Sequence, residues 1–163
     1  MIPQAIELLG RAEKSLRTAD HMIYITYPLI KENRLLRSVL EQLYGIADSI
    51  IKASLYYEHA YKRIQSPPTE LWAQNFEVFR GCSGSFALTD AELQPLQELF
   101  ELAAKHKASS TEFIRKDRLV FMSSNARTES VSLEQLKGYL NMLKVVLQKT
   151  KNRVCEPLID KYK

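Results

Sequence analysis

The chain has 163 residues, 45% of them hydrophobic and 26% charged, which predicts one globular domain with a real core. Its net charge of +4 divides unevenly: residues 1–103 carry 10 Lys and Arg against 13 Asp and Glu, and residues 104–163 carry 13 against 6. Two cysteines without a CxxC pair argue against a disulfide framework or a zinc site, and no apolar run approaches the ~20 residues of a membrane span.

The opening residues 1–15 carry Glu7 and lack a basic start and a small-residue cleavage site, so a signal peptide is not expected. The expectation is a cytoplasmic protein with no cofactor, no metal and no membrane association. A first helix is predicted from Pro3, with Ala5, Leu9, Ala12, Leu16, Ala19 and Ile23 in alternating four- and three-residue steps. Pro28 is expected to end or kink it, and Asn33 to cap the next helix.

That second helix, residues 34–64, is the spine of the predicted fold. Leu36, Leu40, Leu43, Ala47, Ile50, Ser54, Tyr57, Tyr61 and Ile64 form one seam, with Val39, Ile46, Ala53 and Ala60 beside it. A short connection between two long amphipathic helices predicts an antiparallel hairpin.

Ser66-Pro67-Pro68-Thr69 breaks the chain, and residues 69–80 form a third helix with Trp72, Phe76 and Phe79 on one face, read as core. Gly81-Cys82-Ser83-Gly84-Ser85 is a loop that lacks the spacing and lysine of a P-loop. Thr89 and Glu92 form a capping box for a fourth helix, where Pro95 predicts a kink or a late start. Lys105, His106 and Lys107 fall in its last turn, where cations complement the helix dipole.

Residues 109–117 are expected to form a short helix, and 118–122 with 128–131 a small β-hairpin turning at 123–126. Ser132 and Gln135 make a second capping box, opening a last helix with Leu136, Leu140, Leu143, Leu147, Thr150 and Val154 on its seam. Lys137, Lys144 and Lys151 recur every seven residues on its outer side; Pro157 is expected to end it and leave a loose tail. The fold class is all-α: a single helical bundle over 1–163 built on a long antiparallel helix hairpin, with shorter helices and one small β-hairpin near 118–131.

Residues 19–31 (ADHMIYITYPLIK) and 112–118 (EFIRKDR) resemble segments of a family of uncharacterised archaeal helical proteins. The long hairpin followed by shorter helices also resembles HEPN domains, which occur in RNases and in toxin–antitoxin and nucleotidyltransferase partners. The HEPN nuclease motif is an Arg followed by His after four to six intervening residues. Arg17 and His21 have three between them, and neither His59 nor His106 has an arginine at the required distance, so the resemblance implies a non-catalytic relative.

Three clusters carry chemistry on paper. Arg17, Asp20, His21 and Tyr24 share a helical face that could hold an acid–base pair, against the plainer reading of a polar stripe. Tyr56, Tyr57, His59, Tyr61, Lys62 and Arg63 set aromatics beside cations, as base-stacking surfaces do, against a continuation of the buried seam. Arg115, Lys116 and Arg118 form the densest basic run; Arg127 is expected to return beside them across the hairpin, and Lys137 and Lys144 to extend the patch. The leading expectation is a non-enzymatic module contacting RNA or a ribonucleoprotein through these six residues. The alternative is a protein–protein module, a homodimer or helix partner. The third is a degenerate HEPN-like ribonuclease.

Overall fold

The computed structural model describes residues 2–123 and 125–159. About 74% of the chain is helical, and a small antiparallel sheet is inserted before the last helix. The helices are α1 (Ile2–His21), α2 (Tyr27–Ile30), α3 (Asn33–Ala60), α4 (Trp72–Cys82), α5 (Asp90–Lys107) and α6 (Leu133–Ile159). Strands β1 (Glu112–Arg115), β2 (Arg118–Met122) and β3 (Thr128–Ser132) pair in the order β1-β2-β3.

Helix α3 is the spine. Its 28 residues span about 42 Å at 1.5 Å per residue. Leu36, Leu40, Leu43, Ala47, Ile50, Ser54 and Tyr57 are buried, as are Val39, Ile46 and Ala53 beside them. Buried Ser54 satisfies its hydroxyl by donating back to the Ile50 carbonyl at 2.9 Å, and Thr150 does the same to Val146 in α6 at 2.8 Å. Helix α1 packs along α3, and α6 lies against both. The seam of α6 (Leu136, Leu140, Leu143, Leu147, Thr150, Val154) is likewise buried. The α3 seam as far as Tyr57 and the α6 seam are therefore covered within the chain.

Pro28 does not end the first helix. Residues Met22–Thr26 form a π-helical turn, with the Tyr27 N–H donating five residues back to the Met22 carbonyl, and α2 follows without a break. The wider turn shifts the bonding register just ahead of a residue that has no N–H to give. The chain then reverses at Lys31, left-handed at φ 53°, whose N–H bonds the Tyr27 carbonyl. Glu32, with extended backbone, is the N-cap of α3; Asn33 is its first helical residue.

Other boundaries also move. The spine stops at Ala60 rather than near 64, leaving Tyr61 half exposed. Helix α4 begins at Trp72, because Thr69 is held short of it. Asn75 clasps Thr69 with its side-chain amide, accepting from the backbone N–H and donating to the carbonyl, both at 2.8 Å. Helix α5 begins at Asp90, without the late start expected from Pro95. Its first turn is pinned by the reciprocal Thr89–Glu92 capping box and by Lys149, whose ammonium lies 2.5 Å from Glu92 and 2.9 Å from the Ala87 carbonyl. Helix α6 opens on the Ser132–Gln135 box and continues two residues past Pro157, where a missing bond has almost no helix beyond it to disrupt. Ser124 of the expected turn and residues 160–163 of the expected tail lie outside the described residues.

The larger correction concerns 109–117. Its centre is β1, not a helix, so the expected two-stranded hairpin is the second half of a three-stranded meander. Ile114 turns inward and packs on the core, while its neighbours Phe113 and Arg115 point out, a period of two. Lys116 and Asp117 connect β1 to β2 with φ of 50° and 60°, the two left-handed residues of a tight hairpin turn.

Candidate nucleic-acid interface

The register of the sheet decides which side chains share its outer face. Phe113 pairs with Val120 and Arg115 with Arg118; across the other ladder Arg118 pairs with Ser132, Val120 with Ser130 and Met122 with Thr128. Directly opposed residues point to the same side of an antiparallel sheet. The opposite face carries Leu119, Phe121 and Val131, all buried in the core. Phe113, Arg115, Arg118, Val120, Met122, Thr128, Ser130 and Ser132 thus form the outer face, and a contact of 3.5 Å from Arg118 to the Ser130 hydroxyl runs across it. Phe113 is 58% exposed and Met122 43%. No carboxylate belongs to this set. Both sheet glutamates face inward, Glu129 to Lys105 and Glu112 to His106 and Arg37.

The turn between β1 and β2 is anchored from below. The Tyr27 hydroxyl donates to Asp117 at 2.6 Å, and the Leu133 N–H donates to the Asp117 carbonyl at 3.0 Å. Burial, reinforced by the Asp117 carboxylate, pushes the Tyr27 phenol up to about 12, so the hydroxyl remains a donor through the neutral range. Arg115 and Lys116 are exposed and make no ion pair among the described residues.

Of the six sequence-predicted residues, Arg115, Lys116 and Arg118 are brought together. Arg127 is not. It precedes Thr128, which pairs with Met122, whereas Arg118 occupies the far end of β2, four residues or about 13 Å away at 3.3 Å per residue. Lys137 and Lys144 are also engaged elsewhere. Lys144 meets Asp20 at 2.6 Å; Lys137 meets Glu134 at 3.3 Å and lies 5.4 Å from the ring centre of Tyr24. With Lys151 on Glu13 at 3.1 Å, the seven-residue lysine repeat runs along α1 and the π-helical turn that follows it.

The two other sequence clusters separate in the same way. Arg17 pairs with Glu13 at 3.3 Å and His21 Nδ1 shares a hydrogen bond with the Thr26 hydroxyl at 3.2 Å, while Asp20 and Tyr24 face the lysines of α6. Tyr57 is buried on the seam. Arg63 sits over Tyr61 and Tyr57, and its guanidinium meets the buried Glu58 at 3.3 Å.

A second constellation was not legible as such. Arg37 of α3, His106 of α5 and Glu112 of β1 meet in one wall of an open cleft of about 820 Å³. The Glu112 carboxylate takes Arg37 at 2.7 Å on one oxygen and His106 Nε2 at 2.6 Å on the other. Although partial burial opposes it, these two partners hold the Glu112 carboxyl below the ordinary carboxylate range. His106 is further fixed edge-on to Phe121, at 5.1 Å between ring centres. The three residues are 6 to 75 positions apart, and only the fold joins them. The dipole role predicted for His106 gave no hint of this pairing. Phe113 was missed too, because an expected helix carries no outward strand face.

Among the described residues, no group of His, Cys, Asp and Glu is placed to hold a metal ion, and no helix is long and apolar enough to cross a membrane. No protein-family model matches the chain, and no curated protein does either.

Proposed function

We propose that the chain is a non-enzymatic binding module that takes single-stranded RNA on the outer face of its sheet. The observation that carries this reading is the composition of that face: an exposed aromatic ring, two arginines, hydroxyls and no carboxylate. A ring such as Phe113 offers a stacking surface to an unpaired base, and cations beside it hold the neighbouring phosphates. Lys116, at the tip of the anchored turn, adds a third cation. Three strands about 4.8 Å apart, one of four residues and two of five, give a platform for a short stretch of a few nucleotides, with affinity weighted toward charge and little sequence preference.

The test is binding of a labelled single-stranded oligonucleotide over a range of salt, with a duplex of the same sequence as control. Phe113→Ala should weaken binding by roughly 10- to 100-fold, the usual loss of one stacked base. Arg115→Ala, Lys116→Ala and Arg118→Ala together should lower the salt slope by about 2, since each single-strand phosphate contact contributes about 0.7. Absence of binding at low salt, or binding indifferent to both changes, would overturn the reading.

One observation favours the protein–protein alternative. Ile25, Leu29 and Ile30 are 52, 81 and 57% exposed at the tip of the helix hairpin, an apolar knob left open by the described residues. A Leu29→Glu change that leaves RNA binding intact but removes a co-purifying protein would give that tip a role of its own.

A further inference from the structure

We propose that the cleft between the first half of α3, the start of α4 and the end of α5 is a binding site for a planar heteroaromatic ring of the nucleobase class. Its volume of about 820 Å³ lies within the usual range for small-molecule sites. One wall is aromatic and fixed before any ligand arrives. Trp72 lies parallel to Phe100, with ring centres 5.3 Å apart and planes 1° apart, and Tyr44 meets the same Phe100 edge-on at 5.5 Å. Phe100 is fully buried, so one core residue sets the orientation of both cleft rings. Rings held in this way need no further ordering on binding.

The facing wall is polar but internally neutralised. Arg37 and His106 both spend their interaction on Glu112. Of the other lining residues, Glu41 and Lys107 are exposed, carry opposite signs and make no ion pair among the described residues, and Ser110 and Thr111 add hydroxyl-bearing side chains to the lining. A purely apolar ligand would leave the polar side chains without partners, and the one carboxylate in excess of the lining's two fixed cations, Glu70, is already taken by Lys52 at 3.4 Å. A flat ring with apolar faces and hydrogen-bonding edges matches both walls at once. The cleft lies on the inward side of β1, away from Phe113, Arg115 and Arg118, so this inference goes beyond the proposed RNA-binding face and does not depend on it.

Trp72 is the only tryptophan in the chain, so its indole N–H gives one cross-peak that reports the cleft directly. The full-length protein is titrated with adenosine and with cytidine, and with ribose alone as control. The expected result is a saturable shift of that peak with the nucleosides and none with ribose, retained when Arg115, Lys116 and Arg118 are all alanine. Ala104→Leu fills the cleft from a half-buried position on α5, and Leu71→Asp removes an apolar edge that is 59% exposed and so carries little of the fold. Each should weaken nucleoside binding by at least about tenfold; if Ala104→Leu fails to fold, Leu71→Asp decides. No saturable shift, an equal shift with ribose, or nucleoside affinity untouched by the folded variants would overturn the proposal.

Discussion

Lys144 and Asp20 stand 124 residues apart in sequence and 2.6 Å apart in space. Their contact is one rung of a ladder that also joins Lys151 to Glu13 and brings Lys137 over Tyr24. A lysine every seventh residue resembles a phosphate-tracking stripe on paper. Here the same period keeps Lys144 and Lys151 on α1 and Lys137 over the π-helical turn that follows it. Lys144→Ala with Lys151→Ala should therefore leave oligonucleotide affinity and its salt slope unchanged. Because both pairs are substantially exposed, the double variant should lose no more than about 1–2 kcal/mol in a denaturant melt. A large drop in RNA affinity would return these lysines to the interface.

The turn at Lys116 separates stability from binding. A lysine at φ 50° pays a steric cost that asparagine largely avoids, of the order of 1 kcal/mol. Lys116→Asn should stabilise the protein by about 0.5–1 kcal/mol while weakening RNA binding and reducing the salt slope by about 0.7. Urea melts and salt titrations on the same variant check both directions. Lower stability together with lower affinity would mean that the lysine supports the turn itself.

Glu92 makes an acid-range prediction. The hydrogen bond from Lys149, and then that from Thr89, bring its carboxyl down to about 2 from an ordinary value of 4.5. Its ionised form is favoured in the folded state, so the stability it supplies is complete above pH 4.5 and is lost as pH falls toward 2. Glu92→Gln should flatten stability against pH across that window and cost about 0.5–2 kcal/mol at neutral pH through the weakened cap. Melts at intervals between pH 2 and pH 6 would show it, and parallel curves for the two proteins would count against the linkage.

The parts of this fold that sequence displays are those set by local periodicity. The seams of α1, α3 and α6 and both capping boxes follow from spacing, because a helix buries whatever recurs at 3.6 residues and a cap needs its partner three residues on. Strand β1 was hidden for a physical reason. Its four residues are too few to show alternation, and Lys116-Asp117 lacks the glycine that marks a tight hairpin turn. Pro28 does not end the helix, because a π-turn, invisible in residue pattern, precedes it and the helical backbone runs on to Ile30. Arg115, Lys116 and Arg118, three of the six basic residues singled out in the sequence, lie close together in the chain and stay together in the fold, whereas Arg127, Lys137 and Lys144 lie elsewhere. Phe113 and the Arg37–Glu112–His106 wall depend on strand register and on contacts between distant elements, which no local pattern encodes.

Tyr27 holds the β1–β2 turn from the side of the helices. It is buried, with its hydroxyl 2.6 Å from Asp117, and that bond links the end of the first helix to the turn that presents Lys116. Tyr27→Phe removes the donor and leaves the half-buried carboxylate short of a partner, at a cost of about 1–3 kcal/mol. The pH dependence identifies this bond more sharply than the loss itself. Burial first, and Asp117 second, raise the phenol from 10 to about 12, so the neutral form is favoured by folding. Its contribution is fully present below pH 10 and disappears as pH rises through about 12. Wild-type stability should fall across that window more steeply than that of Tyr27→Phe; Tyr44 and Tyr139, also raised by burial, supply a slope common to both proteins. The gap between the two proteins should therefore narrow as the pH climbs from 10 to 12. A gap that stays constant from pH 10 to 12 would count against the Tyr27–Asp117 hydrogen bond as its source.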